Sequence, residues 1–308
     1  MTSPTRDAVA APGRAESGSR PGVWLTELLL FSMALIWGIN FSVVKGATLE
    51  LAPLAFNSAR VALAAVSLLL VAAAARRPWP SRRDTLALLG LGVLGNCVYQ
   101  VLFIEGVART QPGTAALILG AGPAVIALIG RLFGVERVSA RSVVGIVISV
   151  VGVGLVMFGD PEAARGGASL LGNALVFAGC IGWAVFTLLV KPYTHRVPGM
   201  QLSAITMTGG ALPLLVVGSP ALAATRWSEV SATTWGAMAY SGLGALVIAY
   251  VIWYRGVRVI GPTRTAMYGN LQPFIALVVA WLVFGDVPTS LQAAGAGGIM
   301  SGILLTRG

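Results

Sequence analysis

The sequence predicts an all-α integral membrane protein of ten transmembrane helices, built as two five-helix repeats of inverted topology. Three observations predict it: an apolar composition with few polar interruptions, cations concentrated in alternate connections, and a match of the chain to itself at an offset near 150 residues.

Of 308 residues, 56% are hydrophobic and only 10% are charged, against roughly 25% charged in ordinary soluble domains. Leu, Ile, Val, Ala and Gly fill nearly every stretch from 24 to 306, so no polar segment is long enough for a separate soluble domain. The formal charge of +10 does not read as a nucleic-acid surface, because the Lys and Arg residues sit between apolar runs where no basic groove can assemble. Cys97 and Cys180 each lie inside an apolar run, without zinc-site spacing or a disulfide framework, and read as packing residues. No metal or cofactor is expected.

Residues 1–22, rich in Ala, Ser, Pro, Gly and Arg, cannot bury a core and read as a disordered cytoplasmic tail. The apolar run that follows continues for about 20 residues with no small-residue cleavage pattern, so it reads as a retained first helix. At about 20 residues per crossing, helices are expected near 24–44, 54–75, 86–104, 114–133 and 142–159, then 170–190, 202–223, 233–254, 265–284 and 290–306. The two repeats then occupy 23–159 and 168–306.

Charge supplies an independent check on this count. The N-terminal tail, alternate connections and C-terminus hold sixteen Lys and Arg; the opposite set holds four, Lys45, Arg109, Arg165 and Arg226; and Arg60 alone falls inside a span. The positive-inside rule places both termini in the cytoplasm, and nine or eleven crossings would scramble the alternation.

At an offset of 150, Gly106, Val107 and Pro112 fall on Gly256, Val257 and Pro262, and Ala116, Pro123 and Glu136 fall on Ala266, Pro273 and Asp286. At 146, Trp37 and Lys45 fall on Trp183 and Lys191. With an odd number of crossings per half, the second half enters from the other face, the geometry secondary transporters use to open a midplane site to each side in turn. The alternative is a duplication that merely enlarged a bundle.

Trp37-Gly38-Ile39-Asn40-Phe41 with Lys45, then Gly113 to Gly154 with Pro123 and Gly134-Val135-Glu136-Arg137, resemble the EamA domain of the drug/metabolite transporter superfamily. Trp183, Asn270-Leu271-Gln272-Pro273 and Phe284-Gly285-Asp286 repeat the pattern, so the resemblance covers the chain from about 24 to 306. It implies a ten-helix bundle around a central cavity between the halves, exporting amino acids or other small metabolites from a bacterial cytoplasm. The copies differ: Asn40 aligns with Phe186, and Arg60 has no basic counterpart.

Pro123 and Pro273, near the middle of helices 4 and 9, remove backbone donors and free the carbonyls of Leu119 and Gly269, either for a solute or as packing kinks. Asn96, Tyr99 and Gln100 are expected to share an inward face of helix 3, serving a solute or interhelical hydrogen bonds. Tyr250, Trp253, Tyr268, Asn270 and Gln272 supply an opposing wall, joined by Trp37, Asn40 and Trp183. Aromatic walls with scattered amides suit a neutral, zwitterionic or partly apolar solute. Arg60, about 9 Å from the outer end of helix 2 at helical rise, either snorkels outward or, with Lys45 and a charge partner in Glu105, gates the outer mouth or holds a solute carboxylate. Gly145 and Gly152 in helix 5 and Gly298 and Gly302 in helix 10 read as close-packing positions, with a homodimer face as the alternative.

The function expected is export of a small solute across the bacterial inner membrane by alternating access. A passive channel or facilitator is the alternative. An intramembrane enzyme lacks a nucleophile or metal constellation, since the single His195 lies in a connection, and a scaffold would have only short connections to present.

Overall fold

The computed structural model describes residues 21–133, 140–160, 168–260, 265 and 268–306. The tail through residue 20, the Gly134-Val135-Glu136-Arg137 stretch, Arg165, Pro262, Arg264 and Arg307 lie outside the described residues. Within them the chain is helical, with no strand.

We label the helices α1 (Pro21–Thr48), α2 (Pro53–Ala74), α3 (Arg82–Arg109), α4 (Pro112–Leu132), α5 (Ala140–Phe158), α6 (Ala168–Thr194) and α7 (Gly199–Ala224). Next come α8 (consecutive segments Ala232–Ala239, Tyr240–Ile248 and Ala249–Ile260), α9 (Gln272–Phe284) and α10 (Ser290–Thr306). By length and composition, seven are able to cross a bilayer, namely α1 to α4 and α6 to α8; the apolar parts of α5, α9 and α10 are shorter, 10–17 residues. Large apolar side chains such as Leu70, Val216 and Leu282 point outward, as expected of a surface that lipid covers.

Local chemistry sets the ends. Pro53 and Pro112 open α2 and α4, where a missing N–H costs nothing. Ser81 and Ser231 cap α3 and α8, their hydroxyls accepting from the Asp84 and Thr234 N–H groups at 3.1 and 3.2 Å. Gly285, at φ 71°, stops α9 in a left-handed turn open to glycine at no steric cost.

Pro123 and Pro273 behave differently from the mid-helix kinks expected of them. Helix α4 is broken at Ala121, and Pro123 sits in the first turn of the new segment Gly122–Leu132; Pro273 sits likewise in the first turn of α9, after a turn at Asn270 and Leu271. The chain ends one helix and starts another because proline is favoured in a first turn and disruptive in an interior. The Ala121 N–H turns back to the Ile118 carbonyl at 3.2 Å and closes the first segment.

Helices α3 and α8, which the sequence offset pairs, each contain a π-helical stretch, Leu94–Val98 and Tyr240–Ile248. Such widened turns expose backbone and shift side-chain register.

Helices that the sequence offset of about 150 residues would pair pack side by side and run antiparallel. Helix α2 lies along α7 from Ser58, whose hydroxyl donates to the Leu214 carbonyl at 3.1 Å, down to the Arg77 carbonyl, which accepts from Gln201. Helix α4 lies along α9, with Gly113 against Leu277 and Gly120 against Pro273. Helix α5 lies along α10, with Gly145 and Ser149 at Gly302, Gly152 at Gly295 and Ile299, and Gly159 at Gln292. The pairs exchange consistently: α1 packs on α8 and α9, and α6 packs on α3 and α4. The glycines of α5 and α10 thus bring these two helices backbone to backbone inside one chain.

Candidate functional site

The site lies where α1, α2, α3, α6 and α8 meet. Trp37 of α1 packs on Tyr250 at 6.0 Å and Trp253 at 5.8 Å between ring centroids. Tyr250 meets Trp183 at 6.4 Å, Trp183 meets Tyr99 at 5.1 Å and Phe186 at 5.2 Å, and Tyr99 stacks on Phe103 at 5.8 Å. These rings form one continuous aromatic wall from both halves. Tyr268 packs into its Trp37–Trp253 end. The Trp37 indole donates to the Ala245 carbonyl at 2.8 Å, inside the π-helical stretch of α8, where the widened turn frees carbonyls from the regular ladder.

Beside this wall lies Arg60, 1% exposed and not snorkelling to a surface. Its Nε donates to Asn57 Oδ1 at 2.9 Å, Nη1 to Ser241 Oγ at 2.7 Å and Nη2 to Gln100 Oε1 at 2.7 Å. Its guanidinium carbon lies 5.8 Å from the Phe56 ring centre and 5.7 Å from that of Phe103. Asn57 also donates to the Gln100 carbonyl at 3.0 Å. Arg60 thus grips α3 beside its π-helical stretch and α8 within it, a cross-half tie made of neutral acceptors. Burying an arginine at the centre of a spanning helix costs on the order of 3 kcal/mol on insertion scales.

Asn96, Tyr99 and Gln100 turn inward as expected, and they meet three different helices. Asn96 packs against Gly210 of α7, Tyr99 against Trp183 of α6, and Gln100 against Arg60 of α2. Asn96 lies within the π-helical stretch Leu94–Val98, and Tyr99 and Gln100 follow directly after it. Asn40 and Asn96 are buried, and their Oδ1 atoms have no hydrogen-bond donor among the described residues.

Other expected members lie elsewhere. Asn270 and Pro273 line, with Leu117 and Gly120, an apolar crevice where α4, α9 and α10 meet, continuous with a groove of about 350 Å³. They are not brought to Asn96 and Gln100. Gln272 faces the Gly38 side of α1 through its carbonyl. Glu105 does not reach Arg60; it accepts from Arg109, one turn further along α3. Lys45 donates to the Ala108 carbonyl at 2.9 Å, satisfying the last turn of α3.

Two further contacts join the halves, one at each end of the bundle. Glu50, between α1 and α2, accepts from the Ser231 N–H at 2.6 Å, the Ser231 hydroxyl at 2.7 Å and the Thr234 hydroxyl, clasping the N-terminus of α8. Arg196, between α6 and α7, pairs with Asp84 in the first turn of α3 at 3.6 Å. Glu50 and Arg196 are 146 residues apart, and Ser81 and Ser231 are 150 apart, the same offsets at which the chain matches itself, and the two latches carry charges of opposite sign on these connections. These residues were missed in the sequence, although the shared offsets and the Ser-x-x-Asp and Ser-x-x-Thr cap spacings were legible.

The hydroxyls of Ser231 and Thr234 and the Ser231 N–H hold the Glu50 carboxyl below its ordinary range. A lowered folded-state value means that the latch contributes above the unfolded carboxyl range, near 4.3, and is lost as pH falls through the lowered value. Thermal unfolding should therefore show acid destabilisation of the wild type that is smaller in Glu50→Gln.

The EamA-like transporter family matches this chain twice, over residues 24–158 and 170–308. The chain belongs to the EamA-like transporter family. This EamA-like protein is 25% identical over 284 residues to the uncharacterized transporter YyaM of Bacillus subtilis, covering 91% of this chain and 93% of that one. It is 26% identical over 247 residues to a probable terminal-alkyne amino-acid exporter of Streptantibioticus cattleyicolor, covering 80% and 81% of the two chains. A protein crystal structure at 19% identity superposes with a TM-score of 0.61 over 92% of this chain and 98% of the other, which places the fold. The EamA-like protein is a multi-pass membrane transporter.

Proposed function

We propose that this transporter exports small metabolites, amino acids or related compounds, by alternating access between two inverted five-helix halves that make ten crossings. The observation that carries the reading is the aromatic wall contributed by both halves and flanked by the buried Arg60 tie. Antiparallel packing of α2 on α7, α4 on α9 and α5 on α10 supports the inverted arrangement, and the amino-acid exporter among the relatives supports the solute class. In this reading Glu50 clasps the outer face and Arg196 with Asp84 the inner face, and each opens in turn.

The charge bias supports cytoplasmic termini, and the bacterial relatives support a bacterial inner membrane. The wall and amides would hold solute without chemical change, so the protein acts as a carrier and not an enzyme. A homodimer would meet through the outward faces of α5 and α10, where Val144, Val147 and Leu304 are exposed. Saturable flux in proteoliposomes, accelerated by solute on the opposite side, tests the carrier reading; linear flux without acceleration would favour a channel.

A further inference from the structure

We propose that Arg60 is the anchor for a carboxylate on the transported solute, and that the solute class is small monocarboxylates with an apolar or aromatic body, apolar amino acids among them. The inference rests on the transport reading above and deepens it.

Arg60 is a full positive charge, 1% exposed, whose hydrogen-bond partners are two amide oxygens and a hydroxyl. Among the described residues no carboxylate pairs with it. The nearest acids on α3 and on the α1–α2 connection are committed elsewhere, Glu105 to Arg109 and Glu50 to the cap of α8. A guanidinium carries five N–H groups in a fixed fork. Three are occupied here, on Nε, Nη1 and Nη2, so each terminal nitrogen keeps one further hydrogen. Paired terminal N–H groups are the geometry that receives a carboxylate in two parallel bonds. Neutral acceptors orient the fork without cancelling its charge, whereas a resident carboxylate would cancel it and compete with an arriving one.

The surroundings specify the rest of the solute. Phe103, in cation–π contact with Arg60, begins the ring series that passes through Tyr99 to Trp183. A body attached to a carboxylate held at Arg60 therefore meets aromatic faces, which favour flat or branched apolar groups over sugars or polyamines. Asn40 on α1 and Asn96 on α3, where α3 meets α7, carry buried Oδ1 acceptors without a donor among the described residues, and such acceptors suit an ammonium group, which makes amino acids members of the class.

The test compares L-leucine, L-phenylalanine and 3-phenylpropionate with leucinamide and phenylalaninamide, using tryptophan fluorescence of the purified protein and flux in proteoliposomes. In the wild type, the acids should saturate at least about tenfold below the amides, the loss expected when a charge-assisted bidentate contact is removed. Arg60→Lys should keep part of that preference, and Arg60→Gln should bind acid and amide alike. Equal handling of acids and amides by the wild type overturns the Arg60 assignment and leaves transport standing, a result that needs no variant to fold. Retention of the full acid preference in folded Arg60→Gln overturns it as well. Absence of flux for the whole panel overturns the amino-acid transport reading, and the assignment with it.

Discussion

Gly92→Ala should leave almost no folded protein in the membrane, while Gly90→Ala, two residues away on the same helix, should be tolerated. A Cβ on Gly92 would sit 2.1 Å from the Thr206 carbonyl oxygen and 2.9 Å from its carbon, both backbone atoms of α7 that no rotamer change can move. Gly209 and Gly210 make the reciprocal approach, with Cβ positions 2.2 Å from the Leu89 carbonyl oxygen and 2.4 Å from the Asn96 carbonyl carbon. The α3–α7 crossing is thus backbone on backbone, and adding one carbon separates two spanning helices of opposite halves. Ordinary overpacking costs about 1–3 kcal/mol because side chains give way; here they cannot, and the cost approaches the about 5–15 kcal/mol that hold a whole fold. At Gly90 nothing lies within 4 Å, and alanine is the better helix former by about 1 kcal/mol. Detergent-extracted protein run on size exclusion checks this: a monodisperse peak for Gly90→Ala and its loss for Gly92→Ala.

Cross-linking either latch should abolish transport without unfolding the protein. Glu50→Cys with Ser231→Cys places thiols where an exposed carboxylate and hydroxyl now touch, and Asp84→Cys with Arg196→Cys does so at the other end. The native Cys97 and Cys180 are buried and give little background. If each face opens once per cycle, a short bifunctional thiol reagent at either pair halts flux, and a cleavable version restores it on reduction. Full flux in a protein cross-linked at either pair would remove that latch from the gating account.

Much of the fold was legible because burial in lipid leaves a coarse signal. An apolar run of membrane length predicts a helix whatever its neighbours are, and most described helices fall within a few residues of the expected places, while α8 runs on to Ile260 and α9 begins only at Gln272. The site was less legible. Arg60 stood out as a charge in an apolar run, but its acceptors Asn57 and Ser241 are ordinary residues that only tertiary packing selects, Ser241 lying 181 positions away. Glu105 pairs with Arg109 one turn along its own helix and not across helices with Arg60, because i,i+4 neighbours meet without any tertiary packing. The inward side of Asn96, Tyr99 and Gln100 was legible from their spacing; the three helices they meet were not, because only tertiary packing selects them.

The proposed transport proceeds by exposing one site alternately to the two sides of the membrane. Counterflow tests it most directly: proteoliposomes loaded with unlabelled L-leucine are diluted into a trace of labelled L-leucine. Alternating access predicts a transient accumulation of label above its outside concentration, saturating with solute and abolished by either latch cross-link. Entry of label that rises linearly with concentration and never exceeds the outside level would contradict it.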